Sequence, residues 1–207
     1  MDPKHVVEKG YDQIANEHHE WAQVTRSEER ARYAALLMDV LPPGAEVLDL
    51  GCGSGVPTTK TLARRFQVTG VDISQRQIEL ARHYVPEAHF VQADATQLDL
   101  PPDSLDGVVA FYSIIHIPRA EQPGLVLKIA SWLRTGGYFV AALGTRAVDN
   151  ELNEDFLGAP MVWSGYDAAT NRRMVEEAGF EILSAREETE PEFGEEITFL
   201  WLVARKP

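Results

Sequence analysis

The sequence predicts an α/β fold organised around a doubly wound, mostly parallel sheet. From residue 46 onward, short apolar runs alternate with stretches of helical spacing. One of those runs, 107–112, is apolar on both faces, as a strand covered by helices on each side must be. Proline and glycine clusters punctuate the alternation at Pro42-Pro43-Gly44 and Gly136-Gly137.

The elements follow in order. Residues 5–41 read as helices: Val6, Tyr11, Ile14 and Ala15 recur at helical spacing, as do Tyr33, Leu36, Leu37 and Val40. Ser27 with Arg30 marks a start within this region, and Pro42-Pro43-Gly44 stops it. Strands are expected at 46–50, 67–71, 88–92, 107–112 and 138–143, with helices at 58–65, 74–84 and 125–133 between them. The last quarter changes character. Asp, Asn, Gly and Pro scattered through 144–163 predict a loop, and Asp167 is placed to cap a helix ending at Ala178-Gly179. Residues 180–185 and 197–204 read as two strands. Their connection has no crossover helix, so the pair is expected to be antiparallel, with the glutamate-rich stretch 187–196 as its solvated turn.

Composition narrows the function. The chain has 207 residues, 44% hydrophobic and 25% charged, which suits one α/β domain. A net charge of -13 repels phosphate backbones and anionic membranes, so neither nucleic acid nor a membrane is an expected partner. No apolar run approaches membrane-spanning length, and residues 1–10 are too polar for a secretory signal. Cys52 is the single cysteine, so no disulfide can form within the chain; a cytoplasmic, reducing location is expected.

The chemistry sits in Val47-Leu48-Asp49-Leu50-Gly51-Cys52-Gly53-Ser54-Gly55. A strand enters glycines at alternate positions and a helix follows, an arrangement that turns the backbone sharply and leaves unpaired N–H groups for a ligand. Pro57 suits the first turn of that helix. Asp72 ends the second strand, 21 residues beyond Gly51, where a carboxylate can accept hydrogen bonds from ribose hydroxyls. Together these point to an adenosine-containing ligand at the switch point of the sheet. The spacing is G-x-G-x-G rather than the dinucleotide G-x-G-x-x-G, with Val56 in place of the last glycine, and no P-loop is present.

The stretch from residue 46 to about 144 closely resembles the class I S-adenosylmethionine-dependent methyltransferases, of the kind that act on small molecules. The resemblance implies their seven-stranded sheet, with an antiparallel last strand and N-terminal helices over the cofactor site. It further implies that Asp49, Gly51, Gly53 and Gly55 hold the methionine part of S-adenosylmethionine, that Asp72 binds the ribose, and that Ile73 lies beside the adenine. Ala93-Asp94-Ala95 matches the family's adenine contact, with the Asp94 carboxylate toward the exocyclic amine and the Ala95 N–H toward a ring nitrogen. Phe111 and Tyr112, with Ser113-Ile114-Ile115-His116, match the motif lining the transfer site, and Arg134-Thr135-Gly136-Gly137 matches the turn into the fifth strand. Gly10-Tyr11-Asp12-Gln13-Ile14-Ala15, followed by Trp21, is similar to the segment that folds over the cofactor in many small-molecule members. Tyr11 would then sit near the sulfonium or the carboxylate, a ring quadrupole attracting a cation; its alternative is plain packing of a helix on the core.

The expected organisation is one methyltransferase domain over 1–207, with a helical lid at 1–41, a cofactor-binding core at 45–144 and an acceptor-site region at 145–207. Methyl transfer is an in-line displacement that needs alignment and exclusion of water, and no metal. His18-His19 reads as solvated helix histidines rather than ligands, and Cys52 as packing. His116 is the candidate general base: it follows the fourth strand, and imidazole titrates near neutral pH. Its alternative is to cap or pack the strand–helix turn. Trp163 and Tyr166 are placed to stack on an acceptor ring or to belong to the core. No Asn-Pro-Pro-Tyr-type sequence follows the fourth strand, which favours a small acceptor. Two other functions remain open at this level: a non-catalytic adenosine-cofactor binding domain acting as regulator or partner, and a nicotinamide dehydrogenase, which the glycine spacing disfavours.

Overall fold

The computed structural model describes residues 2–207. Three helices open the chain: α1 (Pro3–Gln13), α2 (Ala15–Val24) and α3 (Ser27–Val40). Asp2 caps α1 by accepting from the Lys4 N–H at 3.1 Å, and Pro3 sits in the first turn, where its missing N–H costs nothing. The alternating region then runs β1 (Glu46–Leu50), α4 (Thr58–Leu62), β2 (Gln67–Asp72), α5 (Gln75–Tyr84), β3 (His89–Gln92), β4 (Leu105–Phe111), α6 (Gln122–Trp132) and β5 (Leu133–Gly144). The chain ends with β6 (Val148–Phe156), β7 (Ala159–Gly165), α7 (Ala168–Glu177), β8 (Glu181–Glu192) and β9 (Glu195–Arg205).

The main sheet has seven strands in the order β3-β2-β1-β4-β5-β9-β8. β1 pairs in parallel with both β2 and β4, and β9 is antiparallel to both β5 and β8. The predicted seven-stranded sheet with a reversed last strand is therefore the observed one. The chain winds outward from β1 to β3, returns to β4 and winds the other way. A crevice consequently opens between β1 and β4 at their carboxyl ends.

Side-chain alternation along the central strands assembles two apolar layers. Leu48, Val108, Ala110, Phe139 and Ala141 face α6 and α7 through Leu125, Ile129 and Val175. Val47, Val109, Phe111, Val140 and Ala142 face α3 and α4 through Tyr33, Leu37 and Leu62. Trp201 of β9 anchors the second layer, stacked on Tyr33 at 4.3 Å between ring centres and edge-on to Phe111 at 5.0 Å. Such aromatic pairs add about 0.5–1.5 kcal/mol beyond their burial.

Two expectations about the last quarter are corrected. Residues 144–163 are not a loop: β6 and β7 form a separate two-stranded antiparallel ribbon. Its β6 strand is mostly exposed acids and amides, so it lacks the apolar alternation that marks a strand, whereas β7 buries Ala159, Met161 and Val162. The turn between them places Leu157 and Gly158 at positive φ, with the Asp155 carboxylate accepting from the Gly158 N–H at 2.9 Å. Residues 187–196 are not an open turn either. The β8–β9 ladder continues to the pair Glu192–Glu195, and only Phe193 and Gly194 turn, both at positive φ.

Candidate active site

The crevice at the β1/β4 switch point is the floor of a cavity of about 940 Å³, closed above by α1, α2 and the β6–β7 ribbon. That volume holds a nucleoside-sized ligand together with a small second molecule. Tyr11, Asp49, Gly51, Gly53, Asp72, Ile73, Asp94, Ala95, Phe111, Tyr112 and His116 all line it. Gly55 does not. An added Cβ there would meet Val85 at 3.1 Å and Phe90 at 3.3 Å, so this glycine, at φ +75°, serves close packing behind the loop.

The loop after β1 is held by its neighbours. Gly51, at φ +70°, lies so close to the turn after β4 that a Cβ would stand 2.2 Å from the Ser113 Cβ. Gly53 is the open one: at φ +54° its nearest side-chain neighbour is the His18 ring at 3.5 Å. Asp72 fixes the loop from β2, accepting the Gly53 N–H at 2.9 Å on one oxygen and the Ser74 N–H at 2.9 Å on the other. Burial pushes the Asp72 pKa up to about 6 against those bonds. Burial likewise raises Asp49 to about 6, opposed by the Thr59 hydroxyl at 2.6 Å and helped by the nearby Asp72 charge.

Asp94, just past the end of β3, takes the Thr96 N–H at 2.9 Å and hydroxyl at 2.8 Å on one oxygen. Its other oxygen receives the Lys4 ammonium of α1 at 2.8 Å. Burial opposes its ionisation, but the Lys4 and Thr96 bonds outweigh it and leave the carboxyl below its ordinary range. Lys4 also bonds the Thr96 hydroxyl and the Glu121 carboxylate, so one ammonium ties α1 to two places on the rim.

At the far side, His116 is fixed at both nitrogens. Nδ1 lies 2.9 Å from the Val162 carbonyl, which only accepts, so Nδ1 carries the proton. Nε2 then accepts the Tyr11 hydroxyl proton across 2.9 Å. Burial lowers the His116 pKa to about 4, keeping the ring neutral, and pushes the Tyr11 phenol well up. Trp163 packs on His116 at 4.4 Å and lines the cavity, whereas Tyr166 sits outside it against the α6/α7 core. Tyr112 closes the β4 end at φ +60°, a strained conformation for a tyrosine and one typical of functional sites.

Three wall residues, His18, Arg30 and Lys4, are ones the sequence motifs do not mark. His18 is not a solvated helix histidine: it lines the cavity between Tyr11 and Trp21, and burial lowers its pKa to about 3. His19 is half-buried, stacked on Tyr84 and bonded to the Ser54 hydroxyl at 2.7 Å. Arg30 is buried on the core stripe of α3 with Tyr33, Ala34 and Leu37, spacing that flags a charge facing inward. Lys4 shares the cavity face of α1 with Val7 and Tyr11 at spacings of three and seven, but a lone lysine carries no signal. Among the described residues no group of three His, Cys, Asp or Glu is placed to hold a metal.

The donor set fits S-adenosylmethionine: acids at successive strand ends for a ribose and an amine, an open glycine between them, and a buried guanidinium beyond. A switch-point cavity with this loop defines a Rossmann-like ligand-binding domain. Residues 47–137 match the model of a family described as a methyltransferase domain. Over 110 residues the chain is 36% identical to a 2-methyl-6-phytyl-1,4-hydroquinone methyltransferase of Synechocystis, covering 46% of this chain and 34% of that one. Over 152 residues it is 33% identical to the 27-O-demethylrifamycin SV methyltransferase of Amycolatopsis mediterranei, covering 63% and 55%. In three dimensions it superposes on the magnesium protoporphyrin IX methyltransferase of Synechocystis, solved with bound S-adenosylmethionine, at a TM-score of 0.73, 21% identity, and 100% and 98% coverage. The match to the methyltransferase-domain family spans the central part of the chain, and the fold around it is that of solved S-adenosylmethionine-dependent methyltransferases. The chain spans 34% and 55% of the length of those two curated relatives.

Proposed function

We propose that this chain binds S-adenosylmethionine in the switch-point cavity and transfers the methyl group to a small molecule by in-line displacement. The observation that carries this reading is the joining of two half-sites in one cavity: the Asp49–Gly53–Asp72 loop and the Tyr11–His116 pair. Asp49 and the glycine loop take the methionine part, Asp72 the ribose, and Ile73, Asp94 and Ala95 the adenine, with Phe111 and Tyr112 beside the transferred group. The cofactor supplies an electrophilic methyl group on a sulfonium.

The chain's own residues align and shield. α1 and the β6–β7 ribbon cover the crevice and exclude water. His116 is the general base, acting through Tyr11: a proton leaving the acceptor passes to the Tyr11 oxygen as the Tyr11 proton moves to His116 Nε2. Its lowered pKa keeps the imidazole unprotonated at neutral pH, and equally makes it a weak base that takes the proton late.

A small acceptor is supported by the net charge of -13, which disfavours polyanions, and by the small molecules named in the two curated relatives. No helix among the described residues is long and apolar enough to cross a membrane. Cys52, free and half-buried, is compatible with a reducing, cytoplasmic setting.

Calorimetric titration with S-adenosylhomocysteine tests the cofactor half. The wild type binds, and Asp72→Ala binds more weakly by about 1.5–3 kcal/mol, the range for a hydrogen bond to a charged group. Equal affinity in the variant would remove Asp72 from the ribose. His116→Ala tests the transfer half: turnover of an acceptor found by screening falls about 10²–10⁴-fold while cofactor affinity holds. Full turnover would strike His116 from the mechanism.

A further inference from the structure

We propose that the methyl acceptor is an aromatic ring carrying a cationic side chain, held by an aromatic wall that runs from the Tyr11–His116 pair to the mouth of the cavity; the inference rests on the methyltransferase reading of that cavity. Four rings line the cavity beyond His116: Trp163, Phe156, Trp21 and Phe193. They follow one another in contact. Trp163 lies 4.4 Å from His116 between ring centres, and Phe156 stands edge-on to Trp163 at 5.2 Å. Phe193 and Trp21 in turn stand edge-on to Phe156 at 5.8 and 5.7 Å. The inner ring is covered and the outer one is not: Phe156 is 6% exposed and Phe193 64%. Phe193 sits in the β8–β9 turn at φ +52°, and the exposed Leu152 of β6 lines the same cavity. Large apolar side chains left open to water at a cavity mouth are surface that a ligand covers.

Two independent features set the charge of that acceptor. Ring faces carry the negative part of the quadrupole and attract cations. The acids on the outer wall act in the same sense: Glu151, Glu154, Asp155, Glu192, Glu195 and Glu196 all line the cavity. Glu192 is ion-paired with Arg26, and Glu151 faces Arg146 at 3.7 Å. Among the described residues Glu154, Glu195 and Glu196 have no cationic partner, and the one lysine of the wall, Lys4, is committed to Asp94 and Glu121. A mouth of one sign draws in cations and repels carboxylates. The order of the wall also orients the acceptor. Its nucleophile lies at the Tyr11–His116 end, its ring along Trp163 and Phe156, and its cationic group toward Phe193 and the glutamates. A ring hydroxyl suits the inner end. Its oxygen bonds the methyl carbon as the carbon–sulfur bond breaks and S-adenosylhomocysteine leaves, and its proton passes to the Tyr11 oxygen as the Tyr11 proton passes to His116 Nε2.

The test titrates the S-adenosylhomocysteine complex by calorimetry with tyramine, 4-ethylphenol and 3-(4-hydroxyphenyl)propionate, which carry a cation, no charge and an anion on the same phenol. Wild type is compared with Phe193→Ala and with the triple variant Glu154→Gln, Glu195→Gln, Glu196→Gln, and the affinity of each protein for S-adenosylhomocysteine is measured first. The expected order of affinity is tyramine, then 4-ethylphenol, then the propionate, with tyramine ahead of 4-ethylphenol by about 3- to 30-fold, the range of a cation against a ring face. Phe193→Ala loses tyramine affinity by about the same factor while S-adenosylhomocysteine affinity holds. The triple variant narrows the preference for tyramine and keeps 4-ethylphenol. Equal affinity for tyramine and 4-ethylphenol, tighter binding of the propionate, or no binding of any probe overturns the proposal. Tyramine binding unchanged in Phe193→Ala also overturns it, as does an equal loss of tyramine and S-adenosylhomocysteine in that variant, the mark of a ring that only closes the cavity. If the wild type does not bind S-adenosylhomocysteine, the cofactor reading fails, and the same titrations of the ligand-free protein decide the aromatic wall: a preference for tyramine that Phe193→Ala removes sustains it, and any other result overturns it.

Discussion

Replacing Tyr11 by phenylalanine removes one oxygen and isolates the link between α1 and the turn after β4. The Tyr11 hydroxyl is the donor to Nε2 of His116, a residue only 7% exposed, whose other nitrogen is committed to the Val162 carbonyl. The phenyl ring of the variant fills the same space and leaves Nε2 a buried acceptor with no donor, at a cost of about 1–3 kcal/mol. For a chain of 207 residues each kcal/mol moves the melting point by about 2–4 °C, so Tyr11→Phe melts about 2–12 °C lower. The lost hydroxyl is a donor to the unprotonated nitrogen, so the His116 pKa moves up from about 4, while the burial that lowers it remains. Scanning calorimetry reads the first effect and a nuclear magnetic resonance titration of the imidazole reads the second. A cycle with His116→Phe completes the experiment. In that background the orphaned acceptor is gone and the Tyr11 hydroxyl is the group without a partner, so the Tyr11 substitution becomes neutral or stabilising. An equal loss in both backgrounds, or an unmoved melting point and titration, refutes the pair.

Gly51→Ala combines a left-handed φ with a Cβ 2.2 Å from that of Ser113, so it loses at least about 1–2 kcal/mol from the backbone alone, read by denaturant unfolding. Wild-type stability would show that the loop is not held against β4. Lys4→Met frees α1 from Asp94 and Glu121, so amide exchange across Pro3–Gln13 accelerates in the ligand-free protein; unchanged exchange denies the tie. The pH dependence of stability between about 4 and 6 is set by opposing groups. His116 and His18, lowered from 6.5 to about 4 and about 3, bind fewer protons folded than unfolded, so their contribution is complete above pH 6.5 and is lost as the pH falls. Asp49 and Asp72, raised from 3.8 to about 6, bind more protons folded, so theirs is complete below pH 3.8 and is lost as the pH rises through 6. Asp72→Asn therefore gains stability relative to wild type as the pH climbs from 4 to 6, measured by urea unfolding at each pH; a constant difference would show that Asp72 titrates as an ordinary carboxyl.

What the sequence made legible is what local chemistry dictates. The buried parallel strands read as apolar runs because both faces are covered, and the glycine loop reads as a cradle because its demands fall on the backbone of consecutive residues. Asp72 and Asp94 could be placed because one ends and the other just follows a strand whose position follows from the winding. The β6 strand was illegible for the opposite reason: one of its faces meets water, its residues are acids and amides, and it is a strand only because β7 offers a partner. The same holds for the outer half of the β8–β9 ladder, where glutamates pair with glutamates at the turn. The acceptor side of the cavity is harder still. Tyr11 and His116 are separated by 105 residues, and His116 depends in turn on a carbonyl 46 residues further on. No spacing rule joins an N-terminal helix, a turn after the fourth strand and a polar ribbon. The fold joins them, because Val7 and Ile14 at the start of the chain are buried against the apolar side of β7, at Met161 and Val162. The packing that hides those side chains also carries Tyr11 to His116, so that pair is a consequence of the burial of α1. A substitution at Met161 or Val7 should therefore disturb transfer before it disturbs cofactor binding.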